Sequence, residues 1–136
     1  MNLLFSKGAL SGKTRLVSPN IISVSHHNMS IRWNLPLRIA PASNVSNYVV
    51  LYERVDPHSL NSLSNARTQF CKENEITLQD LASGATYRVQ VKVRTTAGES
   101  QYSPETIAST PMVQSELEDF RELLNLPAMQ LKIDSK

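Results

Sequence analysis

Residues 87–95, with the sequence YRVQVKVRT, alternate strictly between apolar and polar side chains. Tyr87, Val89, Val91 and Val93 fall on one side of an extended chain, and basic or polar residues fall on the other. Successive side chains of a β-strand point to opposite faces, so this segment predicts a strand with one buried and one solvated face. A helix would scatter the same valines around its circumference. The chain is therefore expected to fold around a sheet.

The composition sets the outer limits of the prediction. A chain of 136 residues suffices for one domain with tails. The net charge of +2 and the pI of ≈ 8.8 are not typical of a nucleic-acid-binding chain, so no nucleic-acid partner is expected. Cys71 is the only cysteine, which excludes an internal disulfide. No apolar run approaches the ~20 residues of a transmembrane helix, so membrane insertion is not expected either.

The first 18 residues show no sustained period and predict a flexible leader. Within it, the sequence GALSGKT at residues 8–14 is close to a phosphate-binding loop, but three residues separate its glycines where the loop needs four. No strand precedes it and no helix follows, so we discard phosphate binding. The apolar cluster at residues 3–5 is too short for a signal peptide. We therefore expect either an intracellular protein or a piece of a longer secreted or receptor polypeptide.

Further alternating segments occur on both sides of residues 87–95. In the first of them Ile22 and Val24 are predicted to face inward, and in the last the pattern leaves open whether Ile107 or the pair Thr106 and Ala108 does. Short strands separated by turn signals, about seven in roughly ninety residues, are typical of a two-sheet antiparallel sandwich. The predicted strands are residues 20–25, 29–33, 48–53, 67–71, 75–78, 87–95 and 105–110.

Residues 19 to about 111 share a set of features: a proline before the first strand, Ile31-Arg-Trp33 followed by Pro36, Tyr48-x-Val50-x-Tyr52, LASGATY at residues 81–87, and Gly98 with Tyr102-Ser103. In this combination they resemble a fibronectin type III domain. The resemblance implies an all-β, seven-stranded, immunoglobulin-like sandwich that binds a protein partner and has no catalytic role. It also implies that Trp33 lies in the core and that Tyr87 is a tyrosine corner, bonded to the backbone near Leu81. No Arg-Gly-Asp lies in residues 95–102, so integrin binding of the best-known sort is not supported.

Residues 112–136 form a tail that differs from the domain. Residues 113–136 carry 3 Lys and Arg against 5 Asp and Glu, a net charge of −2, whereas residues 1–112 carry 11 against 7, a net of +4. Ser115 and Glu118 form a capping box that predicts an amphipathic helix over about residues 115–126. A helix this short needs cover for its apolar face, either from its own sandwich or from a partner or neighbouring domain. That face consists of Leu117, Phe120, Leu123 and Leu124.

A candidate partner site lies on the solvated face of the predicted sheet. If strand 48–53 pairs with strand 87–95, Val49 and Leu51 lie beside Arg88, Lys92 and Arg94. Apolar residues flanked by cations are typical of a protein-binding patch. The alternative is that the two apolar residues serve strand propensity and the cations keep the surface soluble.

No catalytic constellation is apparent. His26, His27 and His58 lie in predicted loops, without a third ligand at metal-binding spacing. Cys71 lies on a predicted edge strand outside any nucleophile motif. The carboxylates offer no inward-facing pair for acid and base roles. We expect no enzyme, no cofactor and no metal.

Two function classes remain open. Asn28 and Asn44 each begin an N-x-Ser glycosylation sequon on a predicted loop, which favours an extracellular location without deciding it. The first class is an extracellular or cell-surface adhesion or receptor module within a larger protein. The second is an intracellular scaffold or complex subunit, cytoplasmic or nuclear, that binds partners through the sandwich and the C-terminal helix.

Overall fold

The computed structural model describes residues 15–35, residues 45–113 and Leu123. Residues 15–35 and 45–113 contain strands and no helix. The strands are β1 (Asn20–Val24), β2 (Met29–Arg32), β3 (Val45–Val55), β4 (Arg67–Cys71), β5 (Glu75–Leu78), β6 (Thr86–Thr95), β7 (Gly98–Glu99) and β8 (Thr106–Ser109).

The strands form two antiparallel sheets. The smaller sheet has three strands in the order β1-β2-β5. The larger has five, in the order β4-β3-β6-β7, with β8 also paired to β6. β7 pairs with the C-terminal end of β6 and β8 with its N-terminal end. The predicted two-sheet all-β sandwich is therefore confirmed, and β7 is added where only a reversal was predicted.

The inward faces of both sheets close over Trp33, which is 1 % exposed. Its ring packs edge-on against Tyr48, with ring centroids 5.2 Å apart and an interplanar angle of 69°. Met29 and Ile31 are fully buried, as the alternation in β2 predicts. The valines that predicted the central strand lie in the same cluster, so the sheet is held by packing between its two layers. The rest of the buried cluster is Leu16, Val50, Tyr52, Leu78, Leu81, Ala85, Tyr87, Val89, Val91 and Val93.

Strand β1 departs from its predicted orientation. Val24 packs against the core as predicted, but so does Ile21, and Ile22 is 44 % exposed. The prediction that Ile22 faces inward is wrong because the pairing of β1 with β2 shifts register between Ile21 and Ser23. A β-bulge inserts one residue and so breaks the strict alternation on which the prediction relied.

The segment before β1 and the last strand, β8, both pack against the core. Leu16 is fully buried although it belongs to the predicted leader, whose residues 1–14 lie outside the described residues. The Thr106 hydroxyl donates a hydrogen bond to the Pro19 carbonyl at 2.7 Å, which joins the N-terminal segment to β8. In β8 itself, Ala108 packs against the core and Ile107 is 40 % exposed. The orientation left open by the sequence is therefore the one with Ala108 inward.

Tyr87 begins the buried face of β6 and forms the corner implied by the family resemblance. Its hydroxyl accepts a hydrogen bond from the backbone N–H of Ala82 at 2.8 Å, and only 4 % of the residue is exposed. The bond ties the loop between β5 and β6 back onto the strand that follows it. The implied contact near Leu81 is thus confirmed.

Replacing Tyr87 by phenylalanine is expected to lower the free energy of unfolding by about 1 kcal/mol, because the Ala82 N–H is left without its acceptor. Urea denaturation of both proteins would measure the difference. Tyr102→Phe is the control, since the contact made by Tyr102 is through its ring, to Lys92. Equal stability of Tyr87→Phe and the parent chain would contradict the corner's role.

The predicted C-terminal helix, residues 115–126, lies outside the described residues except for Leu123, whose side chain is 81 % exposed. Leu117, Phe120 and Leu124 are not among the described residues. The structure therefore gives this helix no support. Within the described part of the chain, no helix is long and apolar enough to cross a membrane.

Candidate interaction face on the five-stranded sheet

The candidate site is the outer face of the five-stranded sheet, the face directed away from the core. β3 and β6 pair along their lengths, which sets Val49 opposite Lys92 and Leu51 opposite Gln90. On its other side, β3 pairs with β4 and sets Val49 opposite Phe70. Residues directly opposite each other in antiparallel strands point to the same face. A row of side chains therefore crosses the sheet from Phe70 through Val49 to Lys92.

This row has an apolar centre. Val49 is only 4 % exposed although it faces away from the core, and its cross-strand neighbours are Phe70 and Lys92. Leu51 is half-buried, and Phe70 leaves 59 % of its surface exposed. At the other end, the Lys92 ammonium lies 4.8 Å from the centroid of the Tyr102 ring. The accessible apolar surface of this part of the face therefore comes from Phe70, with the half-buried Leu51 nearby, and aromatic side chains are enriched where proteins contact each other.

Toward the N-terminal end of β6, the face contains an ion pair between β6 and β3. Arg88 and Glu53 are 2.9 Å apart between Nη2 and Oε2, with side chains 18 % and 19 % exposed. The Ser62 hydroxyl donates to the other Glu53 oxygen at 2.7 Å. Hydrogen bonds from Ser62 and then from Arg88 lower the pKa of Glu53 below its ordinary value of 4.5. The resulting stabilisation is present above that value and is lost as the pH falls through the lowered pKa.

Lys92 and Arg94, nearer the C-terminal end of β6, also have a carboxylate partner. Glu99 lies 2.8 Å from the Lys92 ammonium and 3.4 Å from Arg94 Nε. The hydrogen bond with Lys92 is the main reason that the pKa of Glu99 is lowered. Glu105 adds a second, longer contact of 3.7 Å to Arg88. The three cations predicted to form a basic stripe therefore alternate with three carboxylates, and the face does not present the uncompensated charge by which proteins hold polyanions.

The structure brings the five predicted face residues together, since Val49, Leu51, Arg88, Lys92 and Arg94 all lie on β3 and β6. Their role in binding remains a prediction. Sequence reasoning missed further members of the face. Glu53 could have been predicted, because it lies two residues after Leu51 and so on the same face of the strand. The other missed residues could not, because their positions depend on how β4, β7 and β8 pair with the sheet. Those members are Phe70, Glu99, Tyr102 and Glu105.

The predicted glycosylation sites also remain predictions. Asn28 is exposed in the turn between β1 and β2, which leaves its side chain accessible. Asn44 lies outside the described residues.

The two histidines that precede Asn28 form hydrogen bonds with backbone carbonyl groups. His27 Nδ1 donates to the Leu81 carbonyl at 2.9 Å, and His26 Nδ1 donates to the Pro111 carbonyl at 3.2 Å. Both contacts tie the β1–β2 turn to segments at the same end of the sandwich. Among residues 15–35, 45–113 and Leu123, no group of three His, Cys, Asp or Glu side chains is placed to hold a metal ion.

Cys71 ends β4 and packs partly against the core. Its thiol donates to the Glu73 carbonyl at 3.3 Å. Burial, with a further contribution from the Glu73 carboxylate, raises the pKa of Cys71 from 9.0 to about 11. The thiolate is the nucleophile, so this cysteine is poorly reactive near neutral pH.

Alkylation of Cys71 by iodoacetamide is expected to be about tenfold slower, or more, in the folded chain than in urea, because burial raises the pKa of the thiol and the smaller thiolate fraction is offset only in part by the greater nucleophilicity of a more basic thiolate. Mass spectrometry over time would give both rates. The chain has no other cysteine, so the signal has one source. Equal rates in the folded and unfolded chain would contradict the shielded thiol.

The two-sheet antiparallel architecture, with a tyrosine corner and a buried indole, defines the class of the chain as an immunoglobulin-like β-sandwich. A sequence model of the fibronectin type III domain matches residues 17–109. The chain belongs to the fibronectin type III family. Domains of this family are commonly protein-interaction modules and are generally non-catalytic.

Solved structures agree in fold. A structure described as a myokine is 16% identical with a TM-score of 0.60, and the match covers 73% of this chain and 98% of that one. The domain from the human collagen alpha-1(XX) chain is 23% identical with a TM-score of 0.59, covering 76% and 90%. The domain of human fibronectin type III domain containing protein 3 is 17% identical with a TM-score of 0.61, also covering 76% and 90%. No curated protein matches the chain.

Proposed function

We propose that this chain is an adhesion- or receptor-type docking module that binds a protein partner with the outer face of its five-stranded sheet. The observation that carries the proposal is the row Phe70–Val49–Lys92, with Tyr102 at its end. It combines exposed aromatic surface with a covered aliphatic centre. Pairs of opposite charge flank the row, and charged groups at an interface fix the orientation of the partner more than they raise its affinity.

The opposite outer face, on β1-β2-β5, has a different character. Ser30 and Thr77 share a hydrogen bond of 2.8 Å there, and Arg32 pairs with Glu75 at 3.0 Å. Both pairs are polar and satisfied, and the strongly exposed apolar side chain on these three strands is the aliphatic Ile22, so this face offers no exposed aromatic ring. This contrast supports the larger sheet as the docking face and supplies a control surface for its test.

The test is comparative capture from the tissue or cells of origin by the immobilised full chain. The double variant Lys92→Glu/Arg94→Glu sets two new carboxylates beside Glu99 and is expected to lose the captured partner. Arg32→Glu makes the same kind of change on the other sheet and is expected to retain it. Capture unchanged by the double variant would overturn the proposed face.

An extracellular or cell-surface location is part of the proposal, and the exposure of Asn28 in a turn supports it. Protein purified from its native source should lose mass when treated with a peptide N-glycosidase. An unmodified Asn28 and Asn44 would remove this support.

The alternative is an intracellular scaffold or complex subunit, cytoplasmic or nuclear, that also uses residues 115–126. The 81 % exposure of Leu123 favours this alternative, because an apolar residue of the predicted helix is left uncovered. Deletion of residues 114–136 separates the two. Loss of the complex on deletion, with capture insensitive to Lys92→Glu/Arg94→Glu, would favour the scaffold.

A further inference from the structure

The free edge of β4 is a regular strand edge without a partner among the described residues. β4 pairs with β3 on one side only. Its other side therefore presents backbone N–H and C=O groups that can pair with another strand. The remaining edges of the described sheets are less suitable, since β1 is bulged, β7 and β8 divide one edge between them, and β5 has 4 residues. β4 has 5 residues, no proline and no register shift against β3.

Three side chains on and beside this edge are strongly exposed or have no ion pair among the described residues. Phe70 is the one aromatic residue among the strongly exposed large apolar side chains of the described residues. The Arg67 guanidinium lies 4.8 Å from the Tyr52 ring centroid, but within the described residues no carboxylate pairs with it. Glu73, two residues beyond β4, has no ion pair in the same part of the chain. An apolar ring, a cation and an anion thus accompany one open edge.

We propose that this edge pairs with the same edge of a second copy of the chain. In an antiparallel pair with its two-fold axis at Phe70, the two Phe70 side chains lie opposite each other. Arg67, the first residue of β4, then comes to the same end of the pair as Glu73 of the second copy, which lies in the bend two residues beyond its β4, and the symmetry repeats that approach. Aromatic pairs and opposite charges are both favourable cross-strand partners. The two five-stranded sheets then continue as one, through an isologous interface.

The sequence of β4 selects this register over its neighbour. With the axis at Gln69, Phe70 would lie opposite Thr68 of the second copy and Arg67 opposite Cys71, so neither the rings nor the charges would meet. The axis at Phe70 satisfies both at once. Charge complementarity between Arg67 and Glu73 therefore identifies a second copy as the occupant, in preference to an unrelated peptide.

Space for the added strand is present. An open groove of ≈ 670 Å³ separates β4 from β5. Arg67 and Gln69 line it from β4, and Ile76 and Thr77 line it from β5. Side chains of a second β4 on this side of the sheet enter the groove, while its Phe70 lies on the outer face.

The dimer contact and the proposed docking face share Phe70, and the charge exchange at Arg67 and Glu73, which lie outside the row Phe70–Val49–Lys92, distinguishes the two proposals. Sedimentation velocity of the full chain across a concentration series, in reductant, should show a species of twice the 15.2 kDa monomer mass. Phe70→Lys is expected to weaken self-association about tenfold or more, since two like charges then meet at the axis. Leu63→Lys is the matched control, because Leu63 is 55% exposed in the loop between β3 and β4. It should leave the dimer intact.

A charge exchange tests the register itself. Arg67→Glu alone and Glu73→Arg alone each oppose like charges twice and should be monomeric. Mixing these two variants restores opposite charges at both positions, so an equimolar mixture should dimerise, as should the double variant Arg67→Glu/Glu73→Arg. Circular dichroism verifies that each variant is folded.

Several outcomes would overturn the inference. A parent chain that stays monomeric at every concentration contradicts it, as does a dimer that disappears in reductant, which would come from Cys71 oxidation. A dimer insensitive to Phe70→Lys, or single charge variants whose mixture fails to restore association, would place the contact elsewhere. The results for the Arg67 and Glu73 variants do not bear on capture of a partner through Lys92 and Arg94, because neither residue belongs to the row Phe70–Val49–Lys92.

Discussion

Trp33→Ala is expected to lower the free energy of unfolding by about 3–5 kcal/mol. Trp33 is 1 % exposed and its ring packs edge-on against Tyr48. Truncation removes its buried area and leaves a cavity between the two sheets that rigid strands cannot close. Domains of this size hold about 5–15 kcal/mol, so the variant would be close to unfolding at physiological temperature.

Urea denaturation, monitored by the circular dichroism of the backbone because the variant lacks the tryptophan, would measure this effect. Phe70→Ala is the control, because it also truncates an aromatic side chain but one that is 59% exposed. Its cost should be much smaller. A similar loss for both variants would mean that the indole does not organise the core.

Leu16→Ala is expected to cost about 2–5 kcal/mol. The residue precedes the first strand, yet it is fully buried in the same cluster as Trp33. Val17 offers a control at the next position, since it is 71% exposed and its truncation should change stability little. Thermal or urea unfolding of both variants checks the contrast. Equal effects would show that the N-terminal segment does not belong to the core.

The sequence predicts β6 and β2 well because apolar and polar side chains alternate in both strands. The buried row in β6 and the inward residues of β2 follow from the period of two. The orientation of β1 does not follow from this period, because a bulge between Ile21 and Ser23 leaves no signal in the polarity of the side chains. Leu16 is missed for a related reason, since a single buried residue beside a loop produces no periodic pattern.

The candidate face is predictable only in part. Val49, Leu51, Arg88 and Lys92 follow once β3 is paired with β6, and the register confirms that pairing. The carboxylates that compensate the cations come from other strands and loops. Glu99 reaches Lys92 across the β6–β7 pair, a juxtaposition that depends on tertiary register and not on local sequence.

The most direct test of the docking face is a methyl NMR titration of the isotope-labelled full chain with the protein that it captures. The account predicts that the methyl signals of Val49 and Leu51 shift on binding, while that of Ile22 on β1 stays in place. Shifts confined to Ile22 and the three-stranded sheet, with Val49 and Leu51 unchanged, would contradict it.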